Sequence, residues 1–171
     1  MNPKIVTFGP AKIAGYLHKT SMSNNTIPAF WDEIFSDGRL ADLHQQDFAK
    51  DHNAYGVCFD SDGDSFSYII GLEVKTNAQI PEKFHTHKIK QGEYAVLPTM
   101  PSPGGADFSQ AIQKTWGKLC DWLGESTEYA RSHGSDFELY NCSCTVDVEC
   151  EACKTGLMTC DVYVAVTKKT N

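Results

Sequence analysis

Glu138 stands in the segment Asp136-Phe137-Glu138-Leu139-Tyr140, where polar and apolar residues alternate. That pattern puts Asp136, Glu138 and Tyr140 on one face of a strand and Phe137 and Leu139 on the other. Two chemistries are open to a carboxylate there. On a solvated face it is an ordinary surface charge, the usual situation for Glu. Turned inward, it is costly to bury without a partner. A cationic guest would be such a partner, and neighbouring rings would add cation–π attraction of roughly 0.5–2 kcal/mol. The aromatic candidates are Trp31, Tyr55, Tyr68, Tyr94, Trp116, Tyr140 and Tyr163. Trp31 and Trp116 fall on apolar helix stripes, where core packing alone accounts for them. A strand tyrosine beside a cleft instead offers an apolar body with a polar tip, and Tyr55 and Tyr163, with Trp116, are candidates to line a pocket.

Other chemistry-bearing groups are weaker. Cys142, Cys144, Cys150 and Cys153, with Cys160 beyond, contain one C-x2-C step. A zinc knuckle needs a second such pair at wider separation, so reduced thiols are the simpler reading, with zinc or a redox pair as the alternative. Asp60, Asp62 and Asp64 have the spacing of a calcium loop only in part: the glycine comes too early and Gly71 stands where a bidentate glutamate is required, so a hairpin turn is expected. His85 and His87 could share a strand face, but nothing nearby completes a metal set, and an exposed strand end is expected. No nucleophile elbow, phosphate loop or dinucleotide fingerprint is present. The sequence calls for no metal and no cofactor.

The elements that must position these residues follow from periodicity. Ile5–Phe8 and Ile13–Leu17 are short apolar runs split by Gly9-Pro10, a strand, a turn and a strand. Thr26 is a candidate N-cap, Pro28 suits a first helical turn, and Ile27, Phe30, Trp31, Ile34 and Phe35 recur at helical spacing up to Gly38. Residues 39–53 are polar, a loop or short helix. Tyr55–Asp60 and Phe66–Val74 form a hairpin, with Phe66, Tyr68 and Ile70 on one face. A strand at Glu93–Leu97 precedes a Pro/Gly-rich loop and a long helix starting near Asp107. Phe108, Ile112, Trp116, Leu119, Cys120 and Leu123 form its stripe. Strands at Asp136–Tyr140 and Asp161–Thr167 close the chain. The order strand, helix, strand, strand thus occurs twice. It predicts an α+β fold of duplicated units, halves 1–78 and 79–171 of a single domain 1–171, with an antiparallel sheet, two main helices and a ligand cleft between the halves.

Composition narrows the partners. The chain has 171 residues, a net charge of −7, 41% hydrophobic and 22% charged residues, which are ordinary globular values. An acidic domain repels a phosphate backbone, so direct nucleic-acid binding is disfavoured. No apolar run is long enough for a signal peptide or a membrane helix, and an odd count of seven cysteines argues against a disulfide framework. A cytoplasmic location with no membrane partner is the expectation.

At the level of ordered segments, the chain resembles the GyrI-like, AraC-type effector-binding domains found at the C-termini of Rob and BmrR. The carriers are Tyr55-Gly56-Val57; Gly92-Glu93-Tyr94-Ala95-Val96; Trp116, Trp122 and Leu123; Asp136 to Tyr140; and Asp161-Val162-Tyr163-Val164-Ala165-Val166. It also resembles stand-alone members encoded on Vibrio integron gene cassettes. The resemblance implies binding of small cationic, lipophilic compounds in an aromatic pocket with a buried glutamate. It selects Glu138, with Tyr55, Trp116, Tyr163, Trp31, Tyr68 and Tyr140 as ligand-binding residues and no catalytic residue. Some such proteins hydrolyse reactive small molecules with the same glutamate, which is the second reading. In the first reading the bound compound would act in transcription or resistance through a partner; the third reading is a protein-interaction module, as a homodimer or with a regulatory protein partner. Two departures stand out: segment 97–103 lacks the family's histidine and Gly-Pro ending, and segment 141–159 is unusually rich in cysteine. With the first strand near Lys4, no preceding helix-turn-helix is expected.

Overall fold

The computed structural model describes residues 2–141 and 154–170. In chain order the elements are β1 (Lys4–Phe8), β2 (Ala11–Ser21), α1 (Ile27–Ser36), α2 (Arg39–His44), β3 (Ala49–Asp62), β4 (Ser65–Val74), β5 (His85–Ile89), β6 (Gly92–Pro98), β7 (Ser102–Pro103), α3 (Ala106–Glu125), β8 (Tyr129–Arg131), β9 (Asp136–Tyr140), β10 (Leu157–Met158) and β11 (Asp161–Lys168). The architecture is α+β. One antiparallel sheet runs β1-β6-β11-β9-β3-β4-β2-β5, with β8 beside β11. The unit β2-α1-β3-β4 and the unit β6-α3-β9-β11 stand back to back, joined where β3 pairs β9. Each unit's preceding strand crosses to the other half: β1 pairs β6, and β5 pairs β2.

Alternation along each strand divides the core between the two faces. One face carries Ile13, Tyr55, Val57, Ile69, Tyr94 and Phe137 with their neighbours. Side chains of both edge strands, Phe8 of β1 and Ile89 of β5, join this cluster, so the sheet curls around it. The other face is covered by helices. Phe108 and Leu119 of α3 pack on Ala95, Leu97, Val162 and Val164. Phe30 and Ile34 of α1 pack on Tyr68 and Ile70, and Leu43 of α2 packs on Ala14 and Leu72.

Local details refine the expectations. Thr26 occupies the N-cap position of α1 but makes no capping bond. Its hydroxyl is engaged by Thr20 and His18, while Asn25 Oδ1 accepts the Ile27 N–H at 3.0 Å. Gly38, at φ +81°, takes the left-handed conformation between α1 and α2. The turn after Asp62 forms a hairpin, and the Asp64 carboxylate accepts from the Ser23 N–H and hydroxyl. Cys120, expected on the buried stripe of α3, is exposed, because the helix buries the stripe through Phe108, Ala111, Thr115 and Leu119. The exposed strand end expected at His85 and His87 is a whole edge strand, residues 85–89, paired with β2. His87 is half-buried rather than exposed: it stacks on Phe59 at 3.9 Å and its Nε2 lies 2.7 Å from Ser135 Oγ. Cys142, Cys144, Cys150 and Cys153 lie outside the described residues. Among the described residues no helix is long and apolar enough to cross a membrane.

Candidate functional site

β9 is an inner strand of the sheet, flanked by β3 and β11. Its even-numbered side chains point to the helix-covered face, so Glu138 is directed under α3 and is only 5% exposed. Across the strands its direct neighbours are Gly56 of β3 and Val162 of β11, and cross-strand partners share a face.

Three neutral donors meet the carboxylate. The Trp116 indole N–H, from α3, donates to Oε1 at 2.8 Å. The Tyr68 hydroxyl, from β4, donates to Oε2 at 2.7 Å, and the Tyr140 hydroxyl reaches the same oxygen at 3.3 Å. A second layer supports the first: the Trp31 indole N–H, from α1, donates to the Tyr68 hydroxyl at 3.0 Å. The Tyr140 ring packs 4.9 Å from Trp31 and 6.1 Å from Phe108. Both helices and both halves of the sheet therefore contribute to one cluster.

Its electrostatics are one-sided. Among the described residues no basic side chain pairs with Glu138. Burial pushes its carboxyl above the ordinary glutamate range, and the bonds from Tyr68, Trp116 and Tyr140 recover part of the shift. Burial and then the Glu138 charge drive the phenols of Tyr68 and Tyr140 well above their usual range, so both stay protonated as donors. The Cys58 and Cys160 thiols are raised by the same two causes in the same order. Neighbouring Asp136 differs. Its carboxyl is also raised by burial, but it is paired with Arg131 and accepts the Ala165 N–H at 2.8 Å. What remains is a buried carboxylate, satisfied by hydrogen bonds yet without a countercharge among the described residues, ringed by aromatic side chains.

Of the residues selected from the sequence, Trp31, Tyr68, Trp116 and Tyr140 gather around Glu138. Tyr55 and Tyr163 do not. Tyr55 lies opposite Leu139 and Tyr163 opposite Phe137, so both point to the other face of the sheet. There Tyr163 stacks on Phe137 at 4.4 Å, and the Tyr55 hydroxyl donates to Glu73 Oε2 at 3.3 Å. Gly56 was given no role from sequence, although a glycine inside a strand marks close approach. A Cβ there would meet the Tyr68 hydroxyl and Glu138 Oε2. Among the described residues no group of three or more His, Cys, Asp or Glu is placed to hold a metal ion.

The family description Cass2, integron-associated effector binding protein, matches residues 4–166. The chain belongs to this family. Solved structures show the same fold in more distant proteins. SAV2435 bound to tetraphenylphosphonium has a TM-score of 0.70 at 17% identity, over 98% of this chain and 94% of that one. An integron cassette protein from the mobile metagenome of Vibrio cholerae has a TM-score of 0.63 at 16% identity, over 97% of this chain and 96% of that one. The C-terminal domain of EcmrR has a TM-score of 0.58 at 11% identity, over 99% of this chain and all 100% of that one. No curated protein matches the chain. This effector-binding protein thus places a buried glutamate where its two halves meet and under the 20-residue helix α3.

Proposed function

We propose that this protein binds compact cationic or amphipathic aromatic compounds, with Glu138 as the countercharge and Trp31, Tyr68, Trp116 and Tyr140 as the surrounding rings. The observation that carries the reading is the uncompensated charge. Glu138 is buried, accepts from three neutral donors and has no basic partner among the described residues. Such a group is costly in an apolar setting until a cation arrives. A guest would also gain cation–π contact with the same rings. SAV2435 gives the reading a precedent on the same fold, since tetraphenylphosphonium is a lipophilic aromatic cation. The guest enters by displacing side chains: Tyr68 is fully buried, whereas Trp31 and Trp116 are half-buried and stand at the margin. Tyr55 and Tyr163 stay outside the site in this reading.

A thermal-shift panel of cationic, neutral and anionic aromatic compounds of similar size tests the proposal. Stabilisation by the cations through Glu138 supports it. A panel in which charge sign makes no difference, or in which no cation stabilises the protein, contradicts it.

A further inference from the structure

A cavity of about 330 Å³ lies between segment 100–103 and the side of α3 that bears Lys114 and Lys118, away from Glu138. This volume is at the lower end of the roughly 300–1,000 Å³ that small-molecule sites occupy. One wall is apolar: Met100, Pro101 and Pro103, with Ala111 from the helix. Met100 is 66% exposed and forms the open side of this wall. The other wall carries Lys114 and Lys118. Their i, i+4 spacing sets the two ammonium groups one helical turn apart on the same side of α3. Among the described residues neither forms an ion pair. Asp107 is the acid that also lines the cavity, two turns back toward the start of α3. In a chain of net charge −7, two lysines without an ion-pair partner among the described residues, set over an apolar wall, are a local feature and not a reflection of the whole.

We propose that this groove is a second small-molecule site, for compact amphipathic anions. A ring system would lie on Met100 and the two prolines, and a sulfonate or carboxylate would sit between Lys114 and Lys118. Its charge preference is the reverse of that proposed at Glu138. The two sites use different stripes of α3: Trp116 faces the glutamate, whereas Ala111, Lys114 and Lys118 face the groove.

The probe for this site is 1-anilinonaphthalene-8-sulfonate, titrated by fluorescence into the folded full chain. The variants are Lys114→Glu/Lys118→Glu, Met100→Asp, and Lys12→Glu/Lys88→Glu, with circular dichroism and melting to establish that each is folded. Lys12 and Lys88 are exposed cross-strand partners on β2 and β5, so the last variant makes the same change in total charge elsewhere. The expected result is saturable binding that weakens at least about tenfold in the first variant and clearly in the second, holds in the third, and falls with added salt. Absence of saturable binding to the unmodified chain overturns the proposal. So does equal affinity in the Lys114→Glu/Lys118→Glu variant, or an equal loss in the Lys12→Glu/Lys88→Glu control.

Discussion

Gly56 lies directly opposite Glu138 across the β3–β9 pair, and a Cβ at Gly56 would stand 2.6 Å from Glu138 Oε2 and 1.9 Å from the Tyr68 hydroxyl. The missing side chain is what lets a phenol from β4 reach over β3 to a carboxylate on β9. Gly56→Ala is therefore expected to destabilise the protein by about 1–3 kcal/mol, the usual range for overpacking. It should also weaken cation binding, because the phenol and the carboxylate must move apart. Denaturant midpoints and a dye titration on the same sample measure both; an unchanged midpoint would mean that the contact is not tight.

Tyr68→Phe removes the shortest bond to Glu138 and also the acceptor of the Trp31 indole. The buried Glu138 carboxylate and the half-buried Trp31 indole each lose a partner, and the expected cost is about 1–3 kcal/mol in unfolding free energy. Tyr140, whose hydroxyl shares the same carboxylate oxygen at 3.3 Å, cannot replace what Trp31 loses. Equal stability of the two proteins would count against the layered arrangement.

The raised pKa of Glu138 fixes the sign of a pH effect. The folded chain holds this proton to higher pH than the unfolded chain does. The group's contribution to stability is fully present below the unfolded pKa and is lost as pH rises through the raised folded value. Asp136 is shifted in the same direction, so the unmodified protein mixes the two effects. The difference between it and Glu138→Gln isolates one. That difference should move against the unmodified protein as pH is raised above the ordinary glutamate range, and a difference independent of pH would refute the assignment. Without ligand, the Gln variant gains relative stability on the alkaline side; a bound cation should reverse that trend.

Tyr55 and Tyr163 provide the geometric control. Both point to the face opposite Glu138. Tyr55→Phe and Tyr163→Phe are expected to leave affinity for an aromatic cation within about twofold, a change of only a few tenths of a kcal/mol. Isothermal titration of each variant checks this, and a large loss in either would move the site across the sheet.

Much of this arrangement was legible in the sequence. Alternation put Asp136, Glu138 and Tyr140 on one face, and helical spacing put Trp31 and Trp116 on inward stripes. The strand–helix–strand–strand order, seen twice, gave the sheet. What alternation does not encode is which face a distant helix will cover. Glu138 becomes a buried group only because α3 and α1 pack on that side, and their contact with it depends on tertiary structure. The same ignorance of register grouped Tyr55 with Glu138: Tyr55 and Gly56 are adjacent, and a shift of one residue reverses the face. His85 and His87 were readable as an exposed strand end, but not as part of a full edge strand paired with β2, because an exposed edge often carries polar side chains and loses the alternation. The four cysteines from Cys142 to Cys153 fall outside the described residues, and their reading stays where the sequence left it.

The most direct test is a calorimetric titration of tetraphenylphosphonium into the protein and into Glu138→Gln near neutral pH, with both shown to be folded. A charge-assisted contact in a buried setting contributes about 1.5 kcal/mol or more, so binding to the Gln variant should be weaker by at least about tenfold. Equal affinity in the two proteins would contradict the claim that Glu138 is the countercharge.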